Sequence, residues 1–321
     1  YGFLCLFLQT PNLMKYALLT LSFTFMFTAC SDSDPDDPSN DLDAPTFSAI
    51  SRPYTRGGPN VVKIRGEYME VLPENSTELL LQGELSDNRA LSEMRIDIHN
   101  SQDGHTHARY EQRLPGFRVD EVVQLDGNSH TINRNISYDD RDYLAGPYHV
   151  ILHAVDNAGN STSFADGSSI VRSVYLKRPY MPLIALANDP DEMLEQLSGT
   201  AGNALDVEGY LEQRRTDHDF AITFIRLSLV QDTDRTDNAD WQGDTSYEAM
   251  WGESQFLRDN TGAMLNGEDI PTFNDDQLPL TILWENQPYT LAASDHERVL
   301  RIEVEDEGGN LAVREFSLLV N

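Results

Sequence analysis

Six of the eight histidines fall between positions 99 and 153, and three of the six share one short segment, Ile98, His99, Asn100, Ser101, Gln102, Asp103, Gly104, His105, Thr106, His107. Neutral imidazoles at this density suit Zn²⁺, Cu²⁺ or Ni²⁺. In extended backbone the pair His105 and His107 turns both rings to one side, because side chains repeat with a period of two. Asp103 and Gly104 supply a turn ahead of the pair, and Asp97 or Asp103 would add a carboxylate. The candidate metal ligands are His99, Asp103, His105, His107, His149 and His153. His99, His105, His107 and His153 lead this set, with His149 as the substitute. Ordinary solvated surface histidines are the competing reading, since spacing alone does not fix ligand geometry. Cys5 and Cys30, the two cysteines, both lie near the N-terminus, which leaves no thiolate downstream for a soft-metal site, a disulfide or a nucleophile.

The elements that would carry these residues read as strands. Over 94–99 alternation directs Met94, Ile96 and Ile98 inward and Arg95, Asp97 and His99 outward. Over 148–155 it directs Tyr148, Val150, Leu152 and Ala154 inward and His149, Ile151 and His153 outward. As third and sixth strands of a sandwich these two segments are neighbours in one sheet, so their histidines share a face. From residue 44 onward the chain consists of short apolar or alternating runs broken by Gly, Pro, Asn and Asp, with a helical period only near 189–197 and 246–257. Two segments, 146–160 and 297–310, are alike, and both end in DxxGN, where Asp bonds local backbone and Gly and Asn accept positive φ. A second pair supports the repeat: Gly83 and Leu85 precede 94–99 as Gly209 and Leu211 precede 225–230. In this repeat His99, His149 and His153 correspond to Val230, Val299 and Glu303, so the fold itself does not require histidine there. The expected fold class is all-β, with two tandem immunoglobulin-like β-sandwich domains at 45–180 and 181–321. Pro179 and Pro182 bracket the linker between them. Tyr148 stands where such sandwiches begin the penultimate strand with tyrosine; the second half has Arg298.

Composition narrows the partners. The 321 residues carry 53 acidic and 23 basic side chains, a formal charge of -30, and this field repels a phosphate backbone, so nucleic acid is excluded as a partner. Residues 1–29 hold one charged side chain, Lys15, and the apolar run 16–29 has the length of a signal-peptide core, with Met14 as the natural start. Phe27, Thr28, Ala29 and Cys30 resemble a lipoprotein processing site, which implies lipidation of Cys30 and a membrane partner through that anchor. An uncleaved apolar anchor is the alternative. Residues 30–44 form an acidic tether, free of apolar residues from 31 to 40. Acidic residues directly after the lipid cysteine resemble a surface-export signal. The expected location is therefore the outer membrane, as a surface-exposed lipoprotein or one facing the periplasm.

The segment IHxxxDGHxH, together with the DxxGN ending, resembles a Bacteroidota family of Ig-like lipoproteins, domain-of-unknown-function family 4625. His99, Asp103, Gly104, His105 and His107 match its hallmark, over about residues 45–178. The resemblance implies a cell-envelope protein and supplies no activity. Enzyme signatures are missing: there is no GxSxG, P-loop or GxGxxG, and His296 and Glu297 start an HExxH-like string that fails at Leu300. We therefore expect no enzyme, and transition-metal capture or a metal-stabilised contact with an outer-membrane protein as the function. The alternative is a glycan-binding or protein-interaction scaffold in the second half, where Trp241 and Trp251 sit in polar surroundings suited to stacking on a sugar. Asp232, Asp234, Asp237 and Asp240 depart from the EF-hand pattern and read as a solvated acidic loop.

Overall fold

The computed structural model describes residues 41–50, 61–64, 67–101, 114–138, 142–187, 189, 194, 196–214, 220–231, 245–258, 263–273 and 276–321. The first half is built from β1 (Thr46–Ser48), β2 (Val61–Ile64), β3 (Glu67–Leu72), β4 (Glu78–Ser86), β5 (Leu91–Asn100), β6 (Val119–Gln124), β7 (Ser129–Ser137), β8 (Gly146–Asp156) and β9 (Ile170–Leu176). Strand β4 shows the governing pattern: Leu79, Leu81 and Leu85 are buried while the residues between them face solvent. Such alternation belongs to a sheet with one face on a core. Strands β1-β4-β7 form a three-stranded sheet, and β2-β3-β9-β8-β5-β6 form a six-stranded sheet. Between them Leu79, Leu81, Leu85, Met94, Ile96, Ile98, Val150 and Leu152 make one core.

The second half repeats this plan with β10 (Leu183–Leu186), β11 (Gln196–Gly199), β12 (Gly209–Glu212), β13 (Ile222–Gln231), β14 (Thr245–Arg258), β15 (Met264–Asn266), β16 (Gln277–Pro279), β17 (Arg298–Asp306) and β18 (Leu311–Val320). Sheet β10-β12-β16 packs against β11-β18-β17-β13-β14-β15 over a second core of Ile225, Leu227, Leu229, Trp251, Leu300, Ile302, Val304 and Phe316. The protein is thus all-β, two immunoglobulin-type sandwiches in tandem.

One helical expectation is corrected, and the other falls largely outside the described residues. Residues 246–257 lie within β14, where Tyr247, Ala249 and Trp251 pair with Leu229, Leu227 and Ile225 on the core side. A period of two was present there, masked by the apolar Met250 between core positions. Of the stretch 189–197, Gln196 and Leu197 open β11, while residues 190–193 and 195 lie outside the described residues. The α-helix of the described residues is α1 (Leu280–Asn286), entered from Pro279 without a side-chain cap and held by burial of Leu280, Leu283 and Trp284. His130 belongs to β7.

The two DxxGN turns are near copies. Asn160 N donates to Asp156 Oδ1 at 2.8 Å and Asn310 N to Asp306 Oδ1 at 2.9 Å. Gly159 and Gly309 take φ of 91° and 88°, a region that favours glycine. Tyr148 also meets expectation: its buried hydroxyl donates to Leu144 O at 2.7 Å and accepts from Phe117 N at 3.1 Å, and burial pushes the phenol up to about 12. The halves touch through buried apolar side chains, Met69, Ala145 and Tyr175 packing into the second core, and through hydrogen bonds. Tyr175 Oη donates to Leu311 O at 3.0 Å and accepts from Val313 N at 3.1 Å, and Ala145 N donates to Asn310 Oδ1 at 2.8 Å.

Candidate metal centre

Antiparallel pairing of β5 with β8 places His99 directly opposite His149, on the sheet face away from the core residues Ile98 and Val150. The two imidazoles meet edge to face, with centroids 5.6 Å apart and an interplanar angle of 86°. Two imidazoles on one Zn²⁺, with Zn–N bonds of about 2.0–2.1 Å at a tetrahedral angle, have centroids about 5 Å apart. The observed centroid spacing is close to that value. Although His99 leaves the core as alternation requires, it is only 7% exposed.

Asp97 lies two residues earlier on the same face, and its Oδ1 is 3.1 Å from His99 Nδ1. A carboxylate at Nδ1 fixes the ring orientation and makes Nε2 the nitrogen for a metal, the arrangement found behind many histidine ligands. Of the two carboxylates considered beside the imidazoles, Asp97 or Asp103, Asp97 sits behind His99.

His153 does not join the pair. It stands opposite Arg95, four residues along β8 from His149, or about 13 Å at the rise of a strand. That separation exceeds the span of any single ion's ligand shell. Its Nδ1 is 3.0 Å from Thr162 Oγ1 and 3.2 Å from Ser169 Oγ, a hydroxyl network with its own structural logic. Sequence reasoning placed His153 on the correct face but did not weigh distance along the strand. The other predicted ligands, Asp103, His105 and His107, lie outside the described residues, as do Cys30 and the acidic residues 232–240.

The second sandwich confirms the correspondence drawn from the repeat. Val230 pairs with Val299, as His99 pairs with His149, and Arg226 pairs with Glu303, as Arg95 pairs with His153. A plain Val–Val pair satisfies this position of the fold.

The sugar-stacking reading of Trp251 is corrected: the ring is 0% exposed in the second core, because position 251 faces Ile225 across β14 and β13. Trp284 is 4% exposed, and Trp241 lies outside the described residues. His296 Nδ1 is 3.0 Å from Val320 O, a structural contact, and His218 is outside the described residues. Among the described residues no helix is long and apolar enough to cross a membrane.

The fold and this face define an all-β sandwich protein carrying a paired-histidine surface on its first half. Residues 29–171 match the family described as "Domain of unknown function (DUF4625)", the family that the histidine segment resembles. No curated protein matches the chain in sequence. Among solved structures, the chain is similar to a tetra-tandem repeat in the extending region of a large adhesion protein, with 13% identity, TM-score 0.25, and 76% of this chain and 46% of that chain covered. It is similar also to fibronectin(III)-like modules of Clostridium thermocellum CbhA, with 10% identity, TM-score 0.21, and 85% and 93% covered. A third is DIP-gamma IG1+IG2, with 10% identity, TM-score 0.19, and 87% and 98% covered. The chain spans about half the length of the adhesion-protein structure.

Proposed function

We propose that the protein is a non-enzymatic, lipid-anchored component of a bacterial cell envelope that binds a transition metal on the outer face of its first sandwich. The observation that carries this reading is the cross-strand pair His99 and His149, with Asp97 set behind His99. Nitrogen donors of this kind suit Zn²⁺, Cu²⁺ or Ni²⁺. His105 and His107 follow His99 in sequence closely enough to complete a set of three or four ligands. Such a site would serve metal capture or a metal-bridged contact with an outer-membrane protein. Lipidation at Cys30 with the acidic tether behind it would place the sandwiches at the membrane surface.

The test is metal content by elemental analysis and affinity by calorimetry for the chain beside His99→Ala/His149→Ala and His105→Ala/His107→Ala variants. The reading expects near one equivalent of metal in the wild type and at least about tenfold weaker binding in each double variant, a loss of about 1.4 kcal/mol or more. Metal binding unchanged in both variants would remove the site.

A further inference from the structure

At the opposite end of the β5–β8 pair, seven residues or about 23 Å along β8 from His149, three aspartates converge that no motif announced. Asp41, Asp87 and Asp156 each bring a carboxylate oxygen to within 4.8 Å of the others. Asp41 is 6% exposed and Asp156 is 3% exposed. Asp87 is half-buried, and its Oδ2 is sealed from solvent and accepts no hydrogen bond. A buried carboxylate oxygen without a donor is costly, and like charges at this range repel unless a cation or proton answers them. Arg89 supplies one positive charge to the surroundings of Asp41, against three carboxylates.

The neighbouring donors hold the carboxylates in place and leave this oxygen over. Asn88 Nδ2 donates to Asp41 Oδ1 at 3.0 Å, Arg89 N to Asp87 Oδ1 at 2.8 Å, and Asn160 N and Nδ2 to the two oxygens of Asp156 at 2.8 and 2.7 Å. Asn160 Nδ2 also donates to Asp41 O at 3.0 Å, which ties the leading segment to the turn. The turn needs only its own aspartate. In the second half Asp306 closes an equivalent turn, and the position that follows Leu211 as Asp87 follows Leu85 is Gln213. Asp87 is an addition to the shared plan.

We propose that Asp41, Asp87 and Asp156 form a Ca²⁺ site that clamps the end of the acidic tether onto the first sandwich. The donor set is all oxygen, the preference of a hard cation, and it lacks the imidazole or thiolate that would favour zinc or copper. Oxygens bound to one Ca²⁺ at about 2.3–2.6 Å lie at most about 5 Å apart, which the 4.8 Å grouping satisfies. Asp41 follows directly on the run 31–40 in sequence, so an ion here would anchor the chain where that run ends. An affinity of about 10⁻⁴–10⁻³ M, the range of extracellular modules, would make the clamp respond to calcium outside the cell. This site is independent of the histidine face.

The experiment uses the full chain in detergent micelles, stripped with EGTA and titrated with CaCl₂ by calorimetry, with thermal melting alongside. One Ca²⁺ per chain and a calcium-dependent rise in Tm are expected, since a ligand that binds only the native state stabilises it. Asp87→Asn keeps the acceptor for Arg89 N and removes one negative charge. It should weaken Ca²⁺ binding at least about tenfold while melting in EGTA no lower than wild type, and Asp41→Asn provides the second variant. Zn²⁺ titration should be unaffected by Asp87→Asn, which separates this site from the histidine pair. Absence of calcium binding and of any Tm shift up to about 10 mM, or a calcium response unchanged in both variants, would overturn the proposal.

Discussion

Tyr148 shows how a single side chain fixes the approach to the histidine strand. Its ring is 1% exposed, and its hydroxyl bridges Leu144 O and Phe117 N just before His149. Tyr148→Phe leaves both backbone groups without this partner and should cost about 1–3 kcal/mol, read as a lower urea midpoint at unchanged slope. The residue was legible from its place at the head of a penultimate strand. So was the face of His99, because alternation in 94–99 has no competing period. The separation of His153 was legible too, because four residues along a strand span about 13 Å. The burial of His99 and the hydroxyl partners of His153, Thr162 and Ser169, were not, since they come from packing between segments. Trp251 misled for a related reason: Glu248, Gly252 and Glu253 made its surroundings look polar, but β14 turns its other face to the core.

Strand β17 carries the chemistry of the second half at the scale of an element. It sends Leu300, Ile302 and Val304 to the core and Arg301, Glu303 and Glu305 to the opposite face, all six buried. Arg301 Nε pairs with Glu315 at 2.5 Å, and Arg226 reaches Glu303 at 3.3 Å. Glu305 receives only neutral donors among the described residues, Ser254 Oγ at 2.6 Å and Gln255 N at 2.7 Å. Burial therefore pushes its carboxyl up to about 7, and that of adjacent Asp306 up to about 6. A carboxyl raised in the fold contributes stability that is fully present below its ordinary value and is lost as pH rises through the folded value. Stability from these two groups should accordingly fall between about pH 4 and pH 7. Glu305→Gln, which stays neutral, should flatten that fall in urea unfolding measured at each pH. A slope unchanged by the substitution would assign the pH dependence elsewhere. The strand and its DxxGN ending were plain in the sequence, since Arg298–Asp306 alternates. That both faces would be buried was not, because a strand with charges at alternate positions normally turns them to water.

At the scale of the molecule, the two halves are coupled by hydrogen bonds and by apolar packing, since Met69, Ala145 and Tyr175 of the first half are buried with the second core. Tyr175 reaches Leu311 and Val313, and the DxxGN turn of the second half offers Asn310 Oδ1 to Ala145 N. This arrangement predicts that the halves melt together in one calorimetric transition and that Tyr175→Phe/Asn310→Ala splits it in two. A single unchanged transition in the variant would locate the coupling elsewhere. The repeat made the two sandwiches visible in the sequence, whereas the junction could not be foreseen because it joins a motif of one half to a strand start of the other. The aspartate grouping escaped for the same reason, its members being 46 and 69 residues apart in sequence. The central claim is that His99 and His149 ligate one metal ion. Nitrogen-resolved NMR of the imidazoles during Zn²⁺ titration of the chain tests it directly. The account predicts that the ring nitrogens of His99 and His149 shift together and saturate at one equivalent, while those of His153 and His130 stay in place. Unmoved His99 and His149 signals, or a weak drift shared by all eight histidines, would contradict it.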